Sequence, residues 1–147
     1  MKISDFLSPD QVIINVRRLN KRQLLEVLAE TAAAALHLQA DDVASALLKR
    51  EELGSTGTGG GIAIPHARMQ DVQKPFGMLA KLKHPIDFDA IDGQQVDIVF
   101  VLLLPISAVG DQLGALALVA RRLRSTEALA ELRRAKDASE LYSEIAR

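Results

Sequence analysis

Three histidines, His37, His66 and His84, are the first residues to consider for chemistry at neutral pH, because the chain contains no cysteine. Their spacing matches neither a helical nor a hairpin pair of metal ligands, which argues against a metal site. His37 falls in the last turn of a predicted helix, where the helix dipole favours a cation. His84 precedes Pro85 in a loop after a predicted strand and is expected at the surface. His66 is therefore the histidine whose setting needs a chemical explanation.

His66 follows a short predicted strand at residues 62–64 and comes directly after Pro65. Proline fixes one backbone dihedral angle and removes a hydrogen-bond donor, so it gives the next residue a defined direction. Uncharged imidazole is a good nucleophile near neutral pH, and phosphoryl transfer depends mainly on positioning and on donors that stabilise charge. The setting of His66 therefore predicts a reactive, phosphoryl-accepting histidine, with an ordinary structural histidine as the alternative.

The run of small residues at 54–61 contains five glycines, more than a simple turn of the chain requires. Backbone N–H groups in such a run can bind an anion. We expect a phosphate-binding loop made of Thr56, Gly57, Thr58 and Gly59. A nucleotide site does not fit, because nucleotide motifs place their glycines after a strand and before a helix, and here the order is reversed.

Two arginines could add fixed positive charge beside His66 if they point inward. Arg50 lies near the end of the second predicted helix, and Arg68 lies two residues beyond His66. The alternative for each is a solvated surface charge, and spacing alone does not decide between the two.

Length and composition exclude several classes of protein. A chain of 147 residues with 48% hydrophobic residues suits a single domain, 1–147. A net charge of -1 and 3% aromatic residues argue against nucleic-acid binding. The longest apolar run, residues 98–104, is far shorter than the roughly 20 residues of a membrane-spanning helix and predicts a buried strand. The first residues lack the features of a secretory signal, and the absence of cysteine suits a reducing cytoplasm. No cofactor is expected.

Hydrophobic periodicity predicts the first half of the fold. A β-branched run at residues 12–16 indicates a strand. Asn20 with Gln23 three residues later predicts a capped helix. A second helix is expected to begin near Asp41 or Asp42 and to end where Gly54 takes the left-handed conformation. Further strands are predicted at residues 76–82 and 96–104.

Helical periodicity returns after Pro105. The pattern predicts three helices. The first has one apolar face and the second buries Leu129 and Leu132. The last is capped by Asp137 and Glu140. The predicted face of the first of these helices consists of Leu113, Leu116, Ala117, Ala120 and Leu123. The order of elements favours an α/β fold class, a three-layer α-β-α sandwich with a central mixed β-sheet.

Two adjoining motifs carry a resemblance to a known family. The segment Arg50-Glu51-Glu52-Leu53-Gly54-Ser55-Thr56-Gly57, followed by Gly61-Ile62-Ala63-Ile64-Pro65-His66, resembles the active-site signature of the fructose/mannitol-type IIA components of bacterial phosphotransferase systems. The nitrogen-regulatory branch is the most similar. Residues 85–93, 96–100 and 116–123 also match, so the resemblance spans essentially the whole chain.

The resemblance implies a phosphotransferase that acts as a stoichiometric carrier. His66 would accept a phosphoryl group from a phosphorylated HPr-like carrier, with Arg50 stabilising the phosphate. Members of the nitrogen branch regulate other proteins, and through them potassium transport and nitrogen-related processes. Two alternatives remain, a sugar-specific IIA that passes phosphate to a separate IIB component and a binding module that regulates by contact alone.

The sequence departs from the family pattern at the start of the helix after Pro105. Relatives usually carry a second active-site histidine there, and Gln112 occupies that position in this chain. A glutamine amide can donate a hydrogen bond to phosphate but can neither carry a positive charge nor exchange a proton near neutral pH. An apolar rim that includes Ile62 and Met69 is expected to dock the partners.

Overall fold

A computed structural model describes residues 1–106 and 109–147, with the side chains of residues 109–112 outside that description. Within these residues, six strands form one sheet and five α-helices cover it. The strands are β1 (Val12–Val16), β2 (Gly57–Gly59), β3 (Ile62–Ala63), β4 (His66–Met69), β5 (Phe76–Ile86) and β6 (Val96–Pro105). The helices are α1 (Lys21–Leu36), α2 (Ala40–Glu52), α3 (Val109–Arg124), α4 (Thr126–Arg134) and α5 (Ala138–Ile145).

The sheet is mixed, and β6 lies at its centre. The strand order is β1-β5-β6-β3-β2, and β4 pairs with β6 beyond the end of β3. β5 runs antiparallel to β6, whereas β3 and β4 run parallel to it. Nearly every residue of β6 is buried, which explains why this strand is a continuous apolar run in the sequence.

Helices cover both faces of the sheet, and alternate residues of β6 point into two separate cores. Val99, Val101 and Leu103 pack with the buried faces of α1 and α2. The residues between them, with Phe100 as the largest, pack with α3, α4 and α5. The predicted three-layer sandwich around a mixed sheet is therefore confirmed.

The first two helices begin near the predicted residues. The Asn20 side chain accepts the backbone N–H of Gln23 at 2.8 Å, and the Gln23 side chain accepts that of Asn20 at 3.0 Å, so the predicted capping box is present. α2 ends at Glu52, but Gly54 has a φ of +155° and is not in the left-handed helical conformation. The C-cap is Leu53, whose backbone N–H bonds back to the last turn of the helix, so Gly54 occupies the predicted C′ position with a different φ.

The buried face of α3 differs from the prediction. Ala115, Val119 and Leu123 are fully or almost fully buried, whereas Leu113 is 60% exposed. Every residue from 113 to 120 except Gly114 is apolar, so periodicity could not select one face in this part of the helix. By contrast, Leu129 and Leu132 of α4 are buried as predicted. Asp137 caps α5 by accepting the N–H of Glu140 at 2.8 Å, although the Glu140 side chain bonds to Lys136 instead of completing the box.

The histidines other than His66 lie at the surface. His84 is exposed as predicted, but it belongs to β5, which continues to Ile86, and not to a loop. His37 is the exposed residue that follows α1, with a left-handed φ of 59°. None of the described helices combines the length and apolar character needed to cross a lipid bilayer.

Candidate functional site

A groove of about 750 Å³ opens where α2, β4 and α3 meet. His66 and Arg68 of β4 line it together with Arg50 of α2. The other lining residues are Asp42, Ser45, Ala46, Lys49, Leu53, Ala67, Leu104, Leu113 and Leu116. The groove therefore combines one imidazole, two guanidinium groups and an apolar wall.

The sheet fixes the backbone on both sides of His66. β3 and β4 both pair with β6, and Ile64 and Pro65 form the short connection between the two strands. The Pro65 carbonyl accepts the N–H of Leu102 at 2.9 Å, and His66 lies opposite Leu102 in the parallel register. His66 is therefore attached to the central strand of the molecule and not to a free loop.

The ring of His66 has a defined tautomer. Its Nδ1 lies 2.9 Å from the carbonyl oxygen of Ile64. A carbonyl can only accept, so Nδ1 carries the proton and donates it, and the lone pair lies on Nε2. Among the described residues no hydrogen bond to Nε2 occurs, so this nitrogen can act as the nucleophile in the groove.

The pKa of His66 lies below its ordinary value of 6.5, mainly because burial disfavours the charged imidazolium. The positive charges of Arg50 and Arg68 lower the pKa as well. The bond to the Ile64 carbonyl and the negative charge of Glu51 act in the opposite direction. The net result is an imidazole that is mostly neutral, and therefore nucleophilic, at neutral pH.

The structure brings Arg50 and Arg68 to the groove with His66. The Nη1 of Arg50 donates to the Gly54 carbonyl at 2.8 Å, which holds its guanidinium at the C-terminal end of α2. Arg68 follows His66 by two residues on β4 and is exposed. Because side chains alternate along a strand, both His66 and Arg68 can face the same side of the sheet.

The predicted phosphate-binding loop lies elsewhere. Thr56 is buried and bonds to Glu51 through both its backbone N–H and its hydroxyl group. Gly57, Thr58 and Gly59 form strand β2, which pairs with β3. None of the four is among the residues that line the groove. Their role in binding phosphate stays a prediction, and the geometry favours a structural role for them.

Glu51 is the residue of this region whose role sequence reasoning missed. Its side chain is buried, with the residue only 8% exposed, and its carboxylate lies 2.8 Å from the ammonium group of Lys21. A sequence signal existed, because Val43, Leu47 and Glu51 recur every four residues and share the buried face of α2. Its partner Lys21 lies thirty positions earlier, so the pairing was not visible in the sequence.

The apolar rim of the groove differs from the expected one. Ile62 is only 2% exposed and belongs to the core, so the prediction that it docks partners is wrong. Met69 is partly buried. Leu53 is 85% exposed and Leu113 is 60% exposed, and both line the groove. Gln112 lies in α3, but its side chain is outside the described residues.

In the part of the chain that the structure describes, no group of three or more histidine, aspartate and glutamate side chains could hold a metal ion. The groove offers one nucleophilic nitrogen and two guanidinium groups, a combination that suits the transfer of an anionic group.

Comparisons with known proteins agree with this chemistry. Residues 5–147 match the model of the family "Phosphoenolpyruvate-dependent sugar phosphotransferase system, EIIA 2". A nitrogen regulatory protein of Bradyrhizobium diazoefficiens is 42% identical over 146 residues, which cover 99% of this chain and 95% of that protein. The crystal structure of nitrogen regulatory protein IIA-Ntr from Neisseria meningitidis is 31% identical and superposes with a TM-score of 0.92, covering 97% of this chain and 98% of the other.

A more distant match shares the fold alone. Enzyme IIA-Mtl of Escherichia coli, solved in a complex with phosphorylated enzyme IIB-Mtl, is 16% identical with a TM-score of 0.80. The match covers 95% of this chain and 96% of the other.

Proposed function

Because the chain belongs to the type-2 EIIA family of the phosphoenolpyruvate-dependent sugar phosphotransferase system, we propose that it is a cytoplasmic phosphocarrier whose His66 accepts a phosphoryl group. The donor is a phosphorylated HPr-like carrier protein, and the chain acts as a stoichiometric phosphotransferase component. Its similarity to nitrogen regulatory proteins supports a regulatory role linked to nitrogen or potassium. Residues 1–147 act as one domain, because a single sheet supports both helical layers.

The observation that carries the proposal is the lone pair of His66 Nε2 in a groove that Arg50 and Arg68 also line. In the transfer step, Nε2 forms a bond to phosphorus, and the bond between phosphorus and the donor's nitrogen breaks. The electron pair of that bond returns to the donor, and the proton on His66 Nδ1 stays in place. No proton has to leave His66 during the step, so the neutral tautomer is ready to react.

The two arginines supply the electrostatic part of the proposal. A phosphoryl group on Nε2 carries two negative charges near neutral pH, and guanidinium groups bind phosphate oxygens with charge-assisted hydrogen bonds. Arg50 is held near the groove by its bond to the Gly54 carbonyl. We assign phosphate stabilisation to Arg50 and a supporting role to Arg68.

The exposed leucines of the groove provide a docking surface for protein partners. Leu53 and Leu113 expose most of their surface beside a charged site, which is the combination of apolar centre and polar rim that protein interfaces use. The donor and the regulatory targets would dock there in turn. A separately encoded IIB component is the alternative recipient, as the complex of the distant IIA-Mtl illustrates.

A contact-only regulator is the second candidate, and Gln112 is the observation that favours it. Without a second histidine the site lacks a group that can gain or lose a proton beside the phosphate. Such a protein would keep the fold and the groove but bind its targets without accepting phosphate. His66→Ala would then leave binding to those targets unchanged.

Intact-protein mass spectrometry distinguishes the two candidates. We expect wild-type protein incubated with phosphoenolpyruvate, the first phosphotransferase enzyme and an HPr-like carrier to gain one acid-labile phosphoryl group. His66→Ala should gain none, and Gln112→His should gain it faster than the wild type. If only Gln112→His is labelled, the contact-only regulator is the better description. Label on His66→Ala would place the acceptor at another residue and refute the proposal.

A further inference from the structure

A continuous chain of polar contacts connects Lys21, at the start of α1, with the imidazole of His66. Its centre is the carboxylate of Glu51 in the last turn of α2. Oε2 of this carboxylate accepts from the Lys21 ammonium group at 2.8 Å. The same ammonium group lies 4.8 Å from the centre of the Phe88 ring and 3.5 Å from Asp89, so several contacts hold it in place.

The carboxylate of Glu51 also holds Thr56 at two points. The Thr56 backbone N–H donates to Oε2 at 3.1 Å, and the Thr56 hydroxyl donates to Oε1. A buried carboxylate with three donors is well satisfied, and a buried threonine with both donors used has little freedom to move. Glu51 therefore fixes the residue at which the chain enters β2.

Thr56 is in turn bonded to Ile64, which lies just before the strand β4 that begins at His66. Its carbonyl accepts the N–H of Ile64 at 3.1 Å, and the carbonyl of Ile64 accepts the Nδ1–H of His66 at 2.9 Å. Ile64 is thus bonded to Thr56 through its N–H and to the imidazole of His66 through its carbonyl. Displacement of Thr56 would move the one acceptor that sets the tautomer of His66.

We propose that Glu51, held by Lys21, is a positioning residue that keeps His66 in the Nδ1–H tautomer by anchoring Thr56 and, through it, the carbonyl of Ile64. The proposal rests on the proposed phosphoryl acceptance at Nε2. Only this tautomer leaves the lone pair on Nε2, so a loss of the anchor lowers the fraction of molecules that can react. A net hydrogen-bond contribution of typical size corresponds to a change of roughly fivefold in the ratio of the two tautomers.

Other charged groups act on His66 but do not determine its tautomer. Arg50 on α2 and Arg68 on β4 lower the pKa of His66, and Glu51 raises it. Asp42 and Lys49 line the same groove. The charges of Arg50, Arg68 and Glu51 shift the balance between imidazole and imidazolium, whereas the bond to Ile64 sets which nitrogen keeps the proton. The two effects can therefore be measured separately.

The test uses ¹⁵N NMR of the imidazole in the full chain, together with the rate of phosphoryl acceptance. In neutral wild-type protein we expect a protonated Nδ1 and an unprotonated Nε2. Glu51→Ala should give a mixture of tautomers, with their ratio shifted roughly fivefold toward the Nε2–H form, and should slow acceptance by at most that factor. Glu51→Gln keeps an acceptor for the Thr56 N–H but removes the charge, so it should keep the tautomer and lower the pKa of His66 further. Glu52→Gln, an exposed neighbour on α2, should change neither quantity.

A single Nδ1–H tautomer in folded Glu51→Ala, with the wild-type rate, would overturn the proposal. If Glu51→Ala does not fold, Thr56→Val and Thr56→Ser replace it, since valine removes the hydroxyl bond to Glu51 and serine retains it. A mixture of tautomers in the valine variant alone supports the proposal, and a single tautomer in both overturns it. The tautomer is read without any donor, so absence of phosphate on the wild type would refute the proposed function and leave this test intact.

Discussion

At His66, the chemistry depends on opposing effects within a few ångströms. Burial, Arg50 and Arg68 lower the pKa, and the Ile64 carbonyl and Glu51 raise it. The lower pKa keeps the imidazole neutral and nucleophilic, and the same arginines are available for the phosphate once it has been transferred. In the proposed function, this pair of arginines would both keep the acceptor neutral and stabilise the transferred phosphate.

Replacement of Arg50 tests this double role. Arg50→Gln removes a positive charge that lowers the pKa of His66, so the pKa should rise. Acceptance of phosphate requires the neutral ring. The pH at which the acceptance rate is half-maximal lies below 6.5 in the wild type and should therefore rise in the variant. The maximal rate should fall roughly ten- to hundredfold through loss of charge-assisted hydrogen bonds. An NMR titration of His66 and a pH profile of the acceptance rate measure the two effects.

Lys49→Gln is the matched control for this prediction. Lys49 precedes Arg50 on α2 and lines the groove, but its charge is not among the causes of the His66 shift. This variant should therefore leave the pKa of His66 unchanged. An equal shift in both variants would show that the general charge of the groove, and not Arg50, sets the pKa.

At the scale of elements, the glycine-rich run is a strand and a turn that hold the active-site strand in place. β2 pairs with β3, and the turn at Gly60 and Gly61 has φ angles of 71° and 81°. Gly57 lies so close to the loop before β6 that a Cβ atom there would be 2.9 Å from the Cβ of Ala90. The glycines therefore permit close packing beside His66.

Gly57→Ala should destabilise this region through overpacking. We expect the free energy of unfolding to fall by about 1–3 kcal/mol, because the added methyl group meets Ala90 at less than a normal contact distance. Chemical denaturation of the variant and the wild type measures the difference. Combining Gly57→Ala with Ala90→Gly should recover part of the loss, and no recovery would show that the contact with Ala90 is not its cause.

At the scale of the whole molecule, one sheet lies between two hydrophobic cores and forms one wall of each. β5 and β6 contribute side chains to both cores, since successive residues of a strand point to opposite faces. The groove lies where helices from the two layers meet, with α2 on one side and α3 on the other. Loss of either core should therefore affect the site.

The shared sheet predicts one cooperative unfolding transition. Leu47→Ala in the first core and Leu141→Ala in the second should each lower the free energy of unfolding by about 2–5 kcal/mol, because both side chains are fully buried. Scanning calorimetry should show one transition in each variant. Two separate transitions would mean that the helical layers unfold independently.

Local patterns were sufficient to predict most of the elements. The run of β-branched residues at β1, the capping box of Asn20 and the apolar run of β6 each depend on neighbours within a few positions. The setting of His66, after a glycine-rich run and Pro65, was likewise a local signal. Where local information was ambiguous, as in the apolar stretch of α3 at residues 113–120, the predicted face was only partly right, since Leu123 is buried but Leu113 and Ala117 are exposed.

The residue types, their spacing and the hydrophobic period were sufficient to predict the sandwich architecture. They were also sufficient to select His66 as the candidate acceptor and Arg50 and Arg68 as its neighbours. Only the tertiary structure showed that Thr56 bonds to Glu51, that Ile62 is core, and that Leu113 is exposed in the groove that His66 also lines. The physical reason is distance along the chain. Lys21 and Glu51 are thirty residues apart, and their contact exists only because α1 and α2 pack together on one face of the sheet.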